Sequence, residues 1–246
     1  FYTRRRLPSP AKLMFKASFN PVASELLHFS LPLLGVAMLQ MIAMWTDTLM
    51  LGGLRTSAEV GLYNAAWPLA HFISMPLGAI LTIYMPVISG LYAQGAIPDI
   101  GRNFAITTKW LCSATFPVFF ILFLFPETVL GFLFGGNYAA GADALRILSL
   151  GFMINNLLGP NGATLIALGE SRFMMWAALA SALINIALNI ALIPPLGIVG
   201  AALASMIAIT SINVIRCVKL YSLSGAHPLS KNLIKPAVSS FGTAYL

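Results

Sequence analysis

Long apolar runs with almost no charge are the feature that most limits what this chain can fold into. Among Asp, Glu, Lys and Arg, residues 26–51 contain only Asp47, in a run made mostly of Leu, Met, Ala, Ile and Val. Of the 246 residues, 59% are hydrophobic and 9% are charged, whereas soluble domains carry about 25% charged residues. Runs of this length can cross the hydrocarbon core of a bilayer as helices. The sequence therefore predicts an all-α, polytopic membrane helix bundle.

The apolar runs divide into six predicted transmembrane spans, which make up a bundle over residues 26–222. Residues 1–25 are predicted to form a cytoplasmic interfacial elbow, and residues 223–246 a cytoplasmic loop with the start of a further, truncated helix. Because the chain starts without Met and ends inside an apolar stretch, we expect it to be part of a longer polypeptide. The predicted spans cover residues 26–52, 61–91, 107–125, 144–168, 172–193 and 198–222.

The basic residues predict how the bundle is oriented. With these spans, twelve of the 14 Lys and Arg residues fall on one side of the membrane, and only Arg55 and Arg146 fall on the other. Lys and Arg accumulate in cytoplasmic loops, so the N-terminal segment and the C-terminal tail are predicted to be cytoplasmic in a multi-pass protein of the cell membrane. The net charge of +7 is then explained by topology and contact with anionic lipids, and no nucleic-acid partner is predicted.

Polar residues inside the spans are the candidates for function, because a polar face in the membrane must meet protein or water. Three of them share one face of span two, two lie seven residues apart on span one, and two follow helical spacing in span four. We predict that these seven line a substrate cavity: Gln40, Asp47, Asn64, Trp67, His71, Arg146 and Asn156. His71 is alternatively a structural hydrogen-bonding residue or a proton relay, and Arg146 has either a charge partner or an anionic ligand.

Four asparagines form a second group, interpreted as a structural polar seam. Asn185 and Asn189 are four residues apart in span five, a spacing suited to hydrogen bonds between helices. Asn155 and Asn161, together with Asn156, lie near Pro160 and could satisfy the backbone groups that this proline frees.

Asp47 has two possible roles at the sequence level. It lies five residues before Gly52, so it is placed in the outer half of its span. In the structural role it braces the hairpin between spans one and two. In the functional role it pairs with an arginine or titrates as a cavity opens.

No arrangement of residues predicts an enzyme. The sequence has no paired-carboxylate cluster, no HExxH, no nucleophile with its base and no phosphate-binding loop, and it predicts no cofactor or metal site. Several proline-containing spans with polar faces instead favour a path for a substrate, so transport is the better class.

Several stretches resemble the second half of prokaryotic polysaccharide and oligosaccharide-lipid flippases. These belong to the polysaccharide transport family of the multidrug/oligosaccharidyl-lipid/polysaccharide exporter superfamily. The resemblance runs from about Leu7 to Pro236 and includes FGGNYAAGADALRIL, GPNG and NIALNIALIPPLGIVGAA. No single motif is strict, but their order is fairly specific to this branch.

The resemblance implies a fold of about 12–14 helices in two six-helix bundles around a central cavity. This chain would be the second bundle, so the N-terminal six-helix half or a second chain must complete it. The implied function is flipping a polyprenyl-(di)phosphate-linked glycan by alternating access, with H⁺ or Na⁺ as the coupling ion. The alternatives are a cation-coupled multidrug exporter of the same superfamily and a non-transporting membrane scaffold for glycan assembly.

Overall fold

A computed structural model describes residues 21–225 of the chain. Across these residues the protein consists of helices and turns and has no β-strand, which confirms the predicted all-α membrane bundle. The predicted elbow up to residue 20 and the tail from residue 226 lie outside the described residues. The helices are α1 (Pro21–Leu54), α2 (Ser57–His71), α3 (Met75–Ala93), α4 (Ile97–Leu124), α5 (Pro126–Phe134), α6 (Ala142–Leu157), α7 (Asn161–Ala167), α8 (Ser171–Leu196) and α9 (Ile198–Ser224).

Within residues 21–225, five helical stretches are long and apolar enough to cross a membrane: Leu26–Leu54, Ser57–Ala93, Ile97–Leu124, Ser171–Leu196 and Ile198–Ser224. The chain is therefore a multi-pass membrane protein. The second stretch joins α2 and α3 through a 3₁₀ turn at Phe72–Ser74. The third begins ten residues before the predicted span, because Pro98 and Asp99 in the first turn favour a helix start there.

The predicted fourth span is divided in two, which the sequence analysis did not expect. α6 ends at Leu157 and α7 begins at Asn161. Between them Gly159 has φ +69°, and Pro160 lacks the N–H that a continuous helix needs. The Leu158 carbonyl accepts hydrogen bonds from Asn161 Nδ2 at 3.3 Å and Cys217 Sγ at 3.5 Å. Side chains thus satisfy backbone that the break leaves free.

α6 lies at the centre of the bundle, packed against α9, α4 and α2, while α8 lies between α1 and α9. The largest apolar cluster of the described residues is centred on α2, α4 and α6, where it includes Tyr63, Phe119 and Leu148, and it extends to α1, α5, α8 and α9. A smaller cluster at the other end joins α1, α4, α7, α8 and α9 through Phe104, Leu165 and other apolar residues. α1 is the least covered span and α9 the most covered.

Two turns at the same end of the bundle contact each other and fix the α1–α2 hairpin beside α8 and α9. Arg55 Nε and Glu59 Oε2 form an ion pair at 3.2 Å. Gly197, with φ +57°, lies so close that a Cβ there would be 2.5 Å from Glu59 Oε2 and 2.8 Å from Arg55 Nη2. A side chain at this position would separate the two turns.

Replacing Gly159 by Ala should destabilise the protein strongly. A Cβ there would collide with Thr108 Oγ1 and approach Phe104 Cζ to 3.0 Å, in addition to the strain of a positive φ. We expect a loss of about 3 kcal/mol or more in the free energy of unfolding, measured by titration of mixed micelles with denaturing detergent.

The matched control is Gly169→Ala. Gly169 also has a positive φ (+85°), but no atom lies within 4 Å of the Cβ that the substitution would add. This variant should lose only about 1 kcal/mol. Equal losses in the two variants would contradict the close approach of α4 to the helix break.

Candidate functional site

Asp47 lies at the junction of four helices and is buried, with 2% of its surface exposed. From α2, the Tyr63 hydroxyl donates to Oδ2 at 2.6 Å. From α8, the amides of Asn189 and Asn185 donate to Oδ1 at 2.6 and 3.1 Å. From α9, the Ser205 hydroxyl donates to Oδ2. The carboxylate on α1 therefore has four donors on three other helices.

Helical spacing brings these donors to one point. Asn185 and Asn189 are one turn apart on α8 and face the same way, and Asn189 Nδ2 also donates to Asn185 Oδ1 at 3.2 Å. Ser205 belongs to a stripe of small residues on α9, with Gly197 and Ala201, that lets neighbouring helices approach closely.

The Asp47 cluster, defined as Asp47, Tyr63, Asn185, Asn189 and Ser205, is held by neutral donors. Among the described residues no lysine or arginine pairs with the carboxylate. One acceptor in the cluster is unused: Asn189 Oδ1 is buried and has no hydrogen-bond partner in the described part of the chain. A buried acceptor without a donor costs free energy, so this oxygen is the one unsatisfied position of the cluster.

A second polar cluster surrounds the break between α6 and α7. Asn213 on α9 donates to Asn155 Oδ1 at 2.8 Å and accepts from Asn161 Nδ2 at 3.0 Å. Asn156 points elsewhere and donates to the Ile73 carbonyl in the 3₁₀ turn at 2.8 Å. Three of the four asparagines therefore join α6, the helix break and α9, and the fourth fixes α6 to the turn between α2 and α3.

One face of α2 presents polar and aromatic side chains at the edge of the core. The rings of Trp67 and His71 stack with centroids 4.9 Å apart and an interplanar angle of 7°. Phe152 contacts the His71 ring edge-on at 5.2 Å. Asn64 Oδ1 accepts from Thr48 Oγ1 of α1 at 2.9 Å. His71 and Asn64 are exposed and Trp67 is half-buried.

Two predicted residues lie apart from these groups. Gln40 is exposed on α1 although it lies seven residues before the buried Asp47. Arg146 pairs with Glu127 at 2.9 Å and with Asp143 at 3.0 Å. Of the two predicted possibilities, a charge partner or an anionic ligand, the structure shows charge partners. The predicted residues thus divide among separate places rather than forming one site.

The sequence analysis did not assign three residues of these clusters to a site. These are Ser205, Tyr63 and Asn213, none of which is among the predicted site residues. Their hydroxyl and amide groups lie on helices far apart in sequence, and no periodic pattern connects them to Asp47 or Asn155.

Comparison with known proteins identifies the kind of fold and its relatives. The family model described as MatE matches residues 32–191. A solved structure is similar with a TM-score of 0.51 and 18% identity, covering 85% of this chain and 48% of that one. That structure is of a MOP superfamily transporter from Pyrococcus furiosus. This likeness supports the fold alone.

Curated relatives come from an archaeon and a bacterium. In Haloferax volcanii, the probable low-salt glycan biosynthesis flippase Agl15 is 28% identical over 67% of this chain and 35% of its own length. The probable flippase AglR of the same organism is 29% identical over 82% of this chain and 41% of its own length. The teichuronic acid biosynthesis protein TuaB of Bacillus subtilis is 23% identical over 51% of this chain. The chain spans less than half the length of each of these relatives.

Replacing Asp47 by Asn should destabilise the bundle. An amide accepts through one oxygen only and turns its NH₂ group toward hydroxyl and amide donors, so at least one of the four donors loses its acceptor. We expect a loss of about 2 kcal/mol or more in the free energy of unfolding, measured in mixed micelles.

The matched control is Asp99→Asn, the same chemical change at an exposed residue in the first turn of α4. Its effect should stay within about 0.5 kcal/mol. A cost at Asp47 no larger than that at Asp99 would show that the Asp47 cluster does not hold the four helices together.

Proposed function

We propose that this chain, which belongs to the MatE family, forms half of a transporter that flips a polyprenyl-(di)phosphate-linked oligosaccharide or polysaccharide unit across the cell membrane. The observation that carries the proposal is the similarity to two proteins named as flippases, one of them for glycan biosynthesis. The sugar–phosphate head must cross about 30 Å of hydrocarbon. A cavity that opens on one side of the membrane at a time removes most of that barrier.

The exposed polar residues of α1 and α2 support a path or partner on this face of the bundle. Gln40, Asn64 and His71 are exposed within predicted spans. Polar side chains directed at lipid are costly and usually face a wet cavity or other protein. We infer that the α1–α2 face looks into the cavity and toward a second six-helix bundle, supplied by another part of the polypeptide or by a second chain.

The positions of charged residues support the proposed orientation. Arg102, Arg172 and Lys219 lie toward one end of the bundle, near the starts of α4 and α8 and the end of α9, and Lys109 lies in the first half of α4. Arg55 and Arg146 lie toward the other end and are paired with carboxylates. By the positive-inside rule, the start of α1 and the end of α9 face the cytoplasm.

The stacked rings on α2 suit a sugar. His71 is exposed and stacks on Trp67, so the ring pair presents an aromatic surface to the inferred cavity. The apolar faces of sugar rings pack on aromatic rings, which offer contact area at little entropic cost. In this proposal Asn64, two turns away on the same helix, supplies polar contacts to glycan hydroxyls.

The Asp47 cluster is the proposed site for a coupling ion, H⁺ or Na⁺. Rotating the two amides by half a turn would replace nitrogen by oxygen and direct Asn185 Oδ1 and Asn189 Oδ1 at the carboxylate and the Ser205 hydroxyl. Carboxylate, amide and hydroxyl oxygens are the ligands that hard cations prefer. A bound proton would instead turn the carboxyl group into a donor, and rotation of the Asn189 amide would present its unsatisfied Oδ1 as the acceptor. Since the cluster joins α1 to α2, α8 and α9, either ion would change how these helices are held together.

The decisive test reconstitutes the complete polypeptide with fluorescent polyprenyl-diphosphate oligosaccharide in liposomes and follows accessibility in the outer leaflet. Acceleration of at least tenfold over empty liposomes is expected, with a further increase under a Na⁺ or a pH gradient that Asp47→Asn abolishes. No acceleration would overturn the flippase proposal. Gradient-driven export of a cationic dye instead would favour a multidrug exporter.

Replacing Trp67 by Ala should slow flipping about fivefold or more, because the sugar loses its stacking surface. The matched control is Trp110→Ala on α4, since Trp110 is 69% exposed and has no ring partner among the described residues. Equal effects of the two substitutions on the flipping rate, at equal thermal stability, would remove Trp67 from the proposed path.

A further inference from the structure

We propose that Arg216 on α9 binds the phosphate group of a lipid, and that this is a site separate from the Asp47 cluster and from the aromatic face of α2. Assigning that phosphate to the transported glycan lipid rests on the proposed function. The site itself rests on the charge and geometry around Arg216.

Arg216 is a half-buried cation without a partner among the described residues. Among the described residues its guanidinium makes no hydrogen bond and no ion pair, and its Nε atom is fully buried without an acceptor. The residue as a whole keeps partial exposure, so the side chain is not sealed inside the bundle. A buried guanidinium without an acceptor is costly, and a bound anion would remove that cost.

The chain has few carboxylates left to serve as that partner. It has seven acidic residues, and five of them bond elsewhere in the structure. Asp99 is exposed in the first turn of α4, and the side chain of Glu25 lies outside the described residues. The five bonded carboxylates are Asp47 in its cluster, Glu59 with Arg55, Glu127 and Asp143 with Arg146, and Glu170 with Lys219.

The neighbouring charges leave this part of α9 positive. Lys219, three residues further along the helix, pairs with Glu170 at 3.2 Å and lies over the Phe173 ring at 5.6 Å. Glu170 therefore compensates Lys219, and the positive charge of Arg216 remains. This favours an anion close to Arg216.

The guanidinium lies beside Gly162 of α7. An added Cβ at Gly162 would be 3.6 Å from Nη1, an ordinary contact distance. Arg216 is nine residues before Gly225 at the end of α9, which is about 13 Å at 1.5 Å per residue. This depth suits the phosphate of a lipid drawn slightly into the bundle.

Phosphate is the anion that the guanidinium fits best. Its planar fork of N–H donors matches two phosphate oxygens at once. Two sources have this chemistry, a polyprenyl (di)phosphate and a bulk anionic phospholipid of the cytoplasmic leaflet. Both carry the phosphate on an apolar chain, and the experiment separates them.

The test measures binding to the complete polypeptide in a detergent with an uncharged head group, by native mass spectrometry. The probes are farnesyl diphosphate, a short-chain phosphatidylglycerol, and farnesol as the ligand without phosphate. Arg216→Gln should weaken phosphate-dependent binding about tenfold or more, and Arg216→Lys less, because the ammonium keeps the charge but loses the fork. The matched control Arg172→Gln removes an exposed arginine that bonds His28, and should change binding less than twofold.

If Arg216→Gln loses binding of farnesyl diphosphate but keeps that of phosphatidylglycerol, the result would support the site and assign it to the transported lipid. Loss of both phosphate ligands would support the site and assign it to bulk phospholipid. Unchanged binding in Arg216→Gln, or farnesol binding as tightly as farnesyl diphosphate, would overturn it. If Arg216→Gln does not fold, the test uses the unmodified protein and Arg216→Lys instead. Their thermal stabilisation by farnesyl diphosphate is compared with that by farnesol, and equal stabilisation by the two ligands would overturn the proposal.

The leaflet assay keeps this outcome separate from the proposed function. Normal flipping with phosphate binding that does not depend on Arg216 would remove the site and leave the flippase. Arg216-dependent phosphate binding in a protein that does not flip would remove the flippase and leave the site.

Discussion

A carboxylate held away from water needs hydrogen-bond donors from the protein around it, and in this bundle Asp47 finds four of them on three other helices. The cost of leaving any of these groups unpaired in a membrane is high, so the positions of α1, α2, α8 and α9 depend on one another. The Arg55–Glu59 pair against Gly197 adds a second contact between the same two hairpins. A change in what Asp47 binds would therefore alter the contacts among four helices at once.

The divided fourth span obeys the same constraint, that polar groups away from water need hydrogen-bond partners. Here the polar groups are those of the backbone. Gly159 and Pro160 interrupt the helix inside the bundle, where carbonyls have no water to bond. Asn161 and Cys217 bond the Leu158 carbonyl, and Asn213 joins the two asparagines on either side of the break. The close approach of α4, which only glycine allows at position 159, packs the break against a neighbour. Irregular backbone is thus confined to protein-lined space.

Polar residues in this chain divide by the number of helices that cover them. Asp47 and Asn189 lie where several helices meet and are fully bonded or nearly so, whereas Gln40 and His71 lie on helices that only part of the bundle covers. Arg216 is the exception, a half-buried cation whose Nε atom is buried and has no partner among the described residues. The unpaired charge of Arg216 and the exposed polar face of α2 both lack partners within the described bundle. For Arg216 we propose a phosphate as the partner, and for the α2 face a substrate path or a second bundle.

The sequence by itself determined the class of fold, because apolar runs of this length can satisfy their backbone in a bilayer only as helices. It also determined where most spans lie, and that polar residues such as Asp47, Asn185 and Asn189 need protein partners. Only the tertiary structure decided which partners they have. Tyr63, Ser205 and Asn213 are brought to their clusters by helix packing between positions far apart in sequence, which periodicity within one helix does not report. It likewise decided that Arg146 is paired and Arg216 is not, since the free energy of a charge depends on the groups that folding places around it.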